Sequence, residues 1–317
     1  MVTRVPIGQS ALEVAPLALG ANVFGWTADR DASFEVLDGF VRGGGDFIDT
    51  ADGYSAWVPG NTGGESETLI GEWLQARGTR DRVTIATKVS THPEFSGLAA
   101  ANVRAAADAS LARLRTDMID LYYAHFDDAD TPLEETVAAF SELVDAGKVR
   151  AIGVSNYTAE RVTEWFEIAR AGGYHLPVAL QPHYNLLERD FERNGLRDVA
   201  TDENLTVFPY FGLAKGFLAG KYRDAAAAEQ AGASPRAGQA VSYLDDRGRS
   251  VLQALDAIAE REGVEVASVS LAWLRQQPTV GGPIASARTT GQLAALLASM
   301  NLELSDEDLR ALSAAAA

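Results

Sequence analysis

Cysteine is absent from this chain, and with it go disulfides, thiol nucleophiles and thiolate metal sites. Histidine is scarce, and His92, His175 and His183 lack metal-ligand spacing with one another, so ordinary structural roles are expected for them and no catalytic metal. Positive charge is in deficit: 27 Lys and Arg stand against 44 Asp and Glu, a formal charge of −17. A surface of that sign repels nucleic acid and anionic membranes, so neither is expected as a partner. No long apolar run follows Met1-Val2-Thr3-Arg4, which leads straight into structured sequence, and a cytoplasmic protein is expected. Nor does a G-x-G-x-x-G sequence occur, so a Rossmann nucleotide site is unsupported.

What is present is a set of short buried runs that end in ionisable groups. Phe47-Ile48 reads as a strand followed by Asp49 and, after a short loop, Tyr54. Thr84-Ile85-Ala86-Thr87 ends in Lys88, and Asp120-Leu121-Tyr122-Tyr123-Ala124 ends in His125. Singly, an aspartate at a strand end is more often a helix cap and a loop tyrosine a packed ring. Recurrence over three successive strands changes that balance. In a parallel barrel all such ends open on one face, where catalysis is built.

The whole chain alternates in this way. A hairpin over Arg4–Ile7 and Leu12–Val14 precedes a first inner strand at Leu17–Gly20. Helices are expected near 31–42, 63–77, 99–114, 132–146, 158–171, 190–203, 250–276 with a break at Gly263, and 290–300. Strands are expected near 46–50, 83–88, 120–124, 149–154, 179–182, 206–210 and 279–284. Thr131-Pro132-Leu133-Glu134 reads as a capping box with proline at the first helical position. With 47% apolar residues, enough for a large core, and no linker-like stretch, the expectation is one (β/α)8 TIM barrel domain over 1–317 with an N-terminal β-hairpin; a doubly wound open sheet is second. The 223–249 segment, rich in Ala, Gly and Asp, reads as a loop insertion able to act as a mobile lid.

Polar strand ends continue in the second half. Ser155 and Asn156, Gln181 and Tyr210 can hold a planar polar ligand edge-on and stack on its face, as a nicotinamide would require. Ser155 and Asn156 have a second reading as caps of the next helix. Two stretches suit phosphate. Residues 212–222, with Lys215, Gly216 and Lys221, are glycine-rich and basic, although one residue short of a P-loop. Ser286-Ala287-Arg288 stands after the eighth strand at a helix start, where Arg288 can contact a phosphate monoester or lie solvated. Phe24, Trp26, Trp57 and Phe126 follow strand ends and can wall a substrate pocket or simply pack loops.

Asp49, Tyr54, Lys88 and His125, in this order on this pattern, resemble the catalytic tetrad of the aldo-keto reductases. Gly64-Glu65-Ser66-Glu67, Ala86-Thr87-Lys88, Ser110-Leu111-Ala112-Arg113-Leu114, Gly147-Lys148-Val149-Arg150 and Gly153-Val154-Ser155-Asn156 resemble further motifs of that family, and together they span nearly the whole chain. The resemblance implies a reductase of aldehydes, ketones or keto-sugars that uses NADPH, or less often NADH. It implies Tyr54 as proton donor, its pKa lowered by Lys88; Asp49 as the partner of Lys88; and His125 as the group that orients the carbonyl. It further implies Ser155, Asn156 and Gln181 on the carboxamide, Tyr210 stacked on the ring, Leu213 to Lys221 around the pyrophosphate, and Ser286, Arg288 and Gln292 near the adenosine end. Two departures stand out: the family's serine-proline pair is Phe211-Gly212 here, and a usual Glu-Asn pair is Ala295-Leu296. An alternative is an NADPH-binding, redox-sensing regulatory subunit with little turnover. A lyase using Lys88 as a Schiff-base nucleophile ranks last, because Asp49 should keep the amine protonated.

Overall fold

The computed structural model describes residues 2–224, 226, 229 and 235–317. Eight parallel strands form its central sheet: Ala18–Gly20, Phe47–Asp49, Thr84–Val89, Ile119–Ala124, Val149–Ser155, Pro177–Gln181, Thr206–Val207 and Ile284–Ala285. Each pairs with its neighbour in chain order, and the last returns to the first through Ile284 opposite Ala18. The remaining seam is closed by single bonds: Val207 N donates to Thr279 O (2.9 Å), Gly281 N to Val207 O (2.9 Å) and Ile284 N to Pro209 O (2.9 Å). The expected strand at 279–284 is therefore mostly an irregular lead-in. Pro283 has no N–H to give a ladder, and Gly281-Gly282 offers no side chain to hold one. Helices lie between the strands, as the crossovers of a (β/α)8 fold require.

Side chains alternate across each strand, and this period places the functional groups. Ala18, Phe47, Ala86, Leu121, Tyr123, Ala151, Ala179, Phe208 and Ile284 point into the barrel and pack as one cluster with Ile7, Leu12 and Val14 of the hairpin, which plugs the amino-terminal end. Two residues further along, on the same face, come Asp49 after Phe47, Lys88 after Ala86, His125 after Tyr123 and Gln181 after Ala179. The interior is crowded: a Cβ at Gly153 would lie 2.3 Å from a ring carbon of Tyr123. Out-facing Leu19, Ile48, Ile85, Ile152, Val154 and Leu180 join the larger core under the helices.

Several expectations are corrected. The capping box at Thr131 does not form; the helix is Leu133–Asp145 and Thr131 Oγ1 donates to Asp128 Oδ2 (2.7 Å), a stronger, charged acceptor. The 190–203 helix is a 3₁₀ turn at Asp190–Glu192 and a helix at Leu196–Asp202, separated by Gly195 at φ 84°. The break at Gly263 is present, at φ 64°, between helices Asp246–Glu262 and Val266–Arg275. Of the 223–249 lid, residues 225, 227, 228 and 230–234 lie outside the described residues; the rest includes a helix at Ala237–Val241 and the start of Asp246–Glu262. Elements not anticipated include a small hairpin, Thr91–His92 with Phe95–Ser96, and a carboxy-terminal helix, Asp306–Ala315. No described helix is long and apolar enough to cross a membrane.

Candidate active site

At the carboxyl ends of the strands lies a cavity of about 730 Å³. Lys88 does not line it but lies fully buried beneath Asp49 and Tyr54, which do, and its ammonium donates to Asp49 Oδ2 (2.7 Å), Thr50 O (2.6 Å) and Tyr54 Oη (3.2 Å). Three acceptors satisfy the three N–H bonds of the ammonium. Burial acts to lower the Lys88 pKa, but Asp49 and Tyr54 outweigh it and the group lies above its ordinary value, so it is a cation at neutral pH. The other Asp49 oxygen accepts from Gln181 Nε2 (2.8 Å). Asp49 is thereby held from both sides.

The remaining two groups face the same space. Burial pushes the Tyr54 hydroxyl above its ordinary pKa of 10.0, and Asp49 adds to this, while Lys88 pulls the other way. Lys88 acts in the direction expected from sequence but does not prevail, because a phenolate in a dry site loses more hydration than one ammonium returns. Tyr54 therefore stays protonated. His125 is held well below 6.5 by burial and by the Lys88 charge, so its imidazole is neutral. Its ring centroid lies 6.1 Å from that of Tyr54, and its Nδ1 lies 3.5 Å from Thr91 Oγ1. A cationic lysine, a protonated phenol and a neutral imidazole thus meet at one end of the cavity. These groups can deliver a proton to an oxygen placed among them and stabilise charge developing there.

Residues 16–317 match the Aldo/keto reductase family. The chain belongs to the aldo/keto reductases. Among its relatives, norsolorinic acid reductase stcV of Emericella nidulans is 35% identical over 323 residues, covering 96% of this chain and 79% of that protein. Protein tas of Escherichia coli is 33% identical over 338 residues, covering 98% and 96%. An aryl-alcohol dehydrogenase [NADP(+)] of Phanerodontia chrysosporium is 32% identical over 329 residues, covering 95% and 82%. This aldo/keto reductase is accordingly an oxidoreductase, of a family that uses nicotinamide cofactors.

Most of the residues singled out from sequence line this cavity: Asp49, Tyr54 and His125 at its floor; Asn156, Gln181 and Tyr210 on one wall; Leu213, Lys215, Gly216, Lys221, Ser286, Arg288 and Gln292 towards the far end; Trp57 and Phe126 at the rim. Asn156 is left-handed at φ 57°; its Nδ2 donates to His125 O (2.8 Å) and its Oδ1 accepts from Tyr210 Oη (2.8 Å). Its cap reading fails, since Thr158 caps the helix at Ala159–Gly172 by accepting from Arg161 N. Ser155 does not line the cavity: it is fully buried and its hydroxyl donates to Gln181 O (2.8 Å). Phe24 is also fully buried, packed in the core under the loop, and walls nothing. Trp26 reaches the rim only through neighbours, edge-on to Trp57 at 5.6 Å.

Sequence reasoning missed Asn22, Thr91, Phe211 and Arg236, which line the same cavity. Asn22 could have been found, because it is a polar residue just past the end of the first inner strand; its Oδ1 accepts from Ser286 Oγ (2.9 Å). Arg236 carried no local signal. It arrives from the 223–249 segment and lays its guanidinium 5.1 Å from the Trp26 ring centre and 5.5 Å from that of Phe211.

Proposed function

We propose that this aldo/keto reductase reduces aldehyde and ketone carbonyls with NADPH, Tyr54 giving the proton to the carbonyl oxygen. The observation that carries the reading is the fully buried Lys88 ammonium bonded at once to Asp49 and to Tyr54 at the floor of the cavity. The cofactor fits by the chemistry of the far end. Lys215, Lys221 and Arg288 line it, and among the described residues no carboxylate pairs with any of the three, in a protein whose formal charge is −17. Burial, and then Arg288, lower the Lys221 pKa, so Lys221 and Arg288 crowd each other and call for an anion. The pyrophosphate and 2′-phosphate of NADPH supply it, with Arg288 on the phosphate monoester.

When bound, a reduced nicotinamide supplies the hydride. Asn156, Gln181 and Tyr210, which line the cavity, would hold its carboxamide and ring. Charge then builds on the carbonyl oxygen, which Tyr54 meets with its proton while Lys88 stabilises the phenolate left behind. Neutral His125 has an N–H to fix the carbonyl angle without competing as an acid. Asp49, clamped by Gln181, holds Lys88 in register and charged. That charge also disfavours the Schiff-base reading, since a protonated amine cannot attack a carbonyl. Trp57 and Phe126, 49% and 46% exposed at the rim, favour a flat aromatic carbonyl.

The test follows loss of NADPH absorbance with aromatic and small aliphatic carbonyls, for wild type and Tyr54→Phe. Turnover by wild type, best with aromatic aldehydes, and a loss of about 10²–10⁴-fold in Tyr54→Phe are expected. Equal turnover by the variant would remove Tyr54 from its role. NADPH binding without turnover of any carbonyl would favour a redox-sensing role instead.

A further inference from the structure

Behind Tyr210 lies His183, which no step of the reaction uses. Tyr210 N donates to Pro182 O (3.0 Å), and this bridge sets the imidazole flat against the phenol: interplanar angle 10°, centroids 5.2 Å apart. Phe211 closes one edge of the imidazole at 5.5 Å. The His183 Nε2 atom is buried and has no hydrogen-bond partner among the described residues. The charged groups facing it are Glu188 and Asp190, from the loop after the sixth strand, and Lys215, from the loop after the seventh. Burial, opposed by Glu188 and Asp190 and joined by Lys215, holds His183 below its ordinary 6.5. The ring is neutral at pH 7 and takes up a proton on acidification.

We propose that His183 is a proton-sensitive backing for Tyr210, through which the site binds oxidised cofactor less tightly than reduced cofactor once the imidazole is charged. The inference rests on the proposed placement of nicotinamide against Tyr210. A cation on one face of a phenol is attracted by the ring's electron density and draws that density towards itself. The opposite face then offers less to a second cation, and like charges repel across the ring. Oxidised nicotinamide is a cation and reduced nicotinamide is neutral, so the proton on His183 opposes only the former. In the reductive direction NADP⁺ is the product, and acidification would speed its departure.

The experiment measures dissociation constants of NADP⁺ and NADPH by quenching of tryptophan fluorescence, from about pH 8 to about pH 5. It uses wild type, His183→Phe, which keeps a ring but cannot protonate, His183→Gln in case the phenylalanine does not fit, and Tyr210→Ala. The readout is the ratio of the two constants, NADP⁺ over NADPH, in which ionisation of the shared 2′-phosphate cancels. For wild type this ratio is expected to rise roughly fivefold on acidification, and for both His183 variants to stay flat. A wild-type ratio independent of pH, or the same rise in both His183 variants, overturns the proposal. Tyr210→Ala separates the two levels. If it leaves both constants unchanged, Tyr210 is not part of the cofactor site, and the placement falls together with this inference. If it weakens both while the His183 variants keep the rise, the placement stands and the role of His183 falls.

Discussion

Lys88 concentrates most of what a single residue decides here. Lys88→Met removes the cation bonded to Tyr54 and leaves Asp49 Oδ2 and Thr50 O without their donor. Activity should fall about 10²–10⁴-fold while NADPH still quenches tryptophan fluorescence; lost quenching would mean that the pocket itself had collapsed. The same lysine sets a pH limit on stability. Its folded pKa is raised, so its contribution is full below the unfolded value near 10.4 and is lost as pH rises through the folded one. Urea unfolding from about pH 9 to about pH 12 should show an alkaline loss that is smaller in Lys88→Met. At the other end of the cavity, Arg288→Ala should raise the apparent KM for NADPH about tenfold or more and that for NADH little. Equal effects on the two cofactors would remove Arg288 from the 2′-phosphate. Asp49, Lys88 and His125 were legible in sequence because each directly follows a buried run, and Tyr54 because it stands a short loop beyond Asp49. Arg236 was not, because its neighbours Trp26 and Phe211 are remote in sequence.

Elements were legible where local chemistry is strong and blurred where several partners compete. Gly263 ended a helix as expected, because a left-handed turn suits glycine. Thr131 found Asp128, three residues before it, instead of a helix amide, because a second local acceptor competed with the cap. The carboxy-terminal helix Asp306–Ala315 does carry a local signal: Ser305 and Asp308 form a capping box, and Arg261 from the helix Asp246–Glu262 pairs with Asp308 at 2.7 Å. Ser305→Ala should cost about 1 kcal/mol, read by urea denaturation, with earlier proteolysis at this end and unchanged kcat. An unchanged midpoint would show that the helix is held by Leu312 and its neighbours instead of by its cap.

On the scale of the whole molecule, the barrel separates stability from chemistry. Ile7, fully buried in the amino-terminal plug, lies on the end opposite the cavity. Ile7→Ala should cost about 2–5 kcal/mol in unfolding free energy without shifting the dissociation constant for NADPH, measured side by side. A matching loss of cofactor affinity would mean that the plug supports the site. The buried pair between Glu67 and Arg113 (2.6 Å), which also takes Thr87 Oγ1 one residue before Lys88, ties two helices to the third strand. Arg113→Ala strands the Glu67 carboxylate and should cost about 3–5 kcal/mol by the same assay. What the sequence by itself determined was the alternation of buried strands and amphipathic helices, and the polar groups that end each strand. Hydrophobic period and strand-end chemistry are local, so one chain suffices to read them. Only the tertiary structure decided which polar group meets which: that Gln181 also grips Asp49, that Ser155 turns inward, that burial outweighs Lys88 at Tyr54, and that His183 lies flat behind Tyr210. Those outcomes depend on distances across the barrel and on how much water each group loses, and both exist only once the sheet has closed.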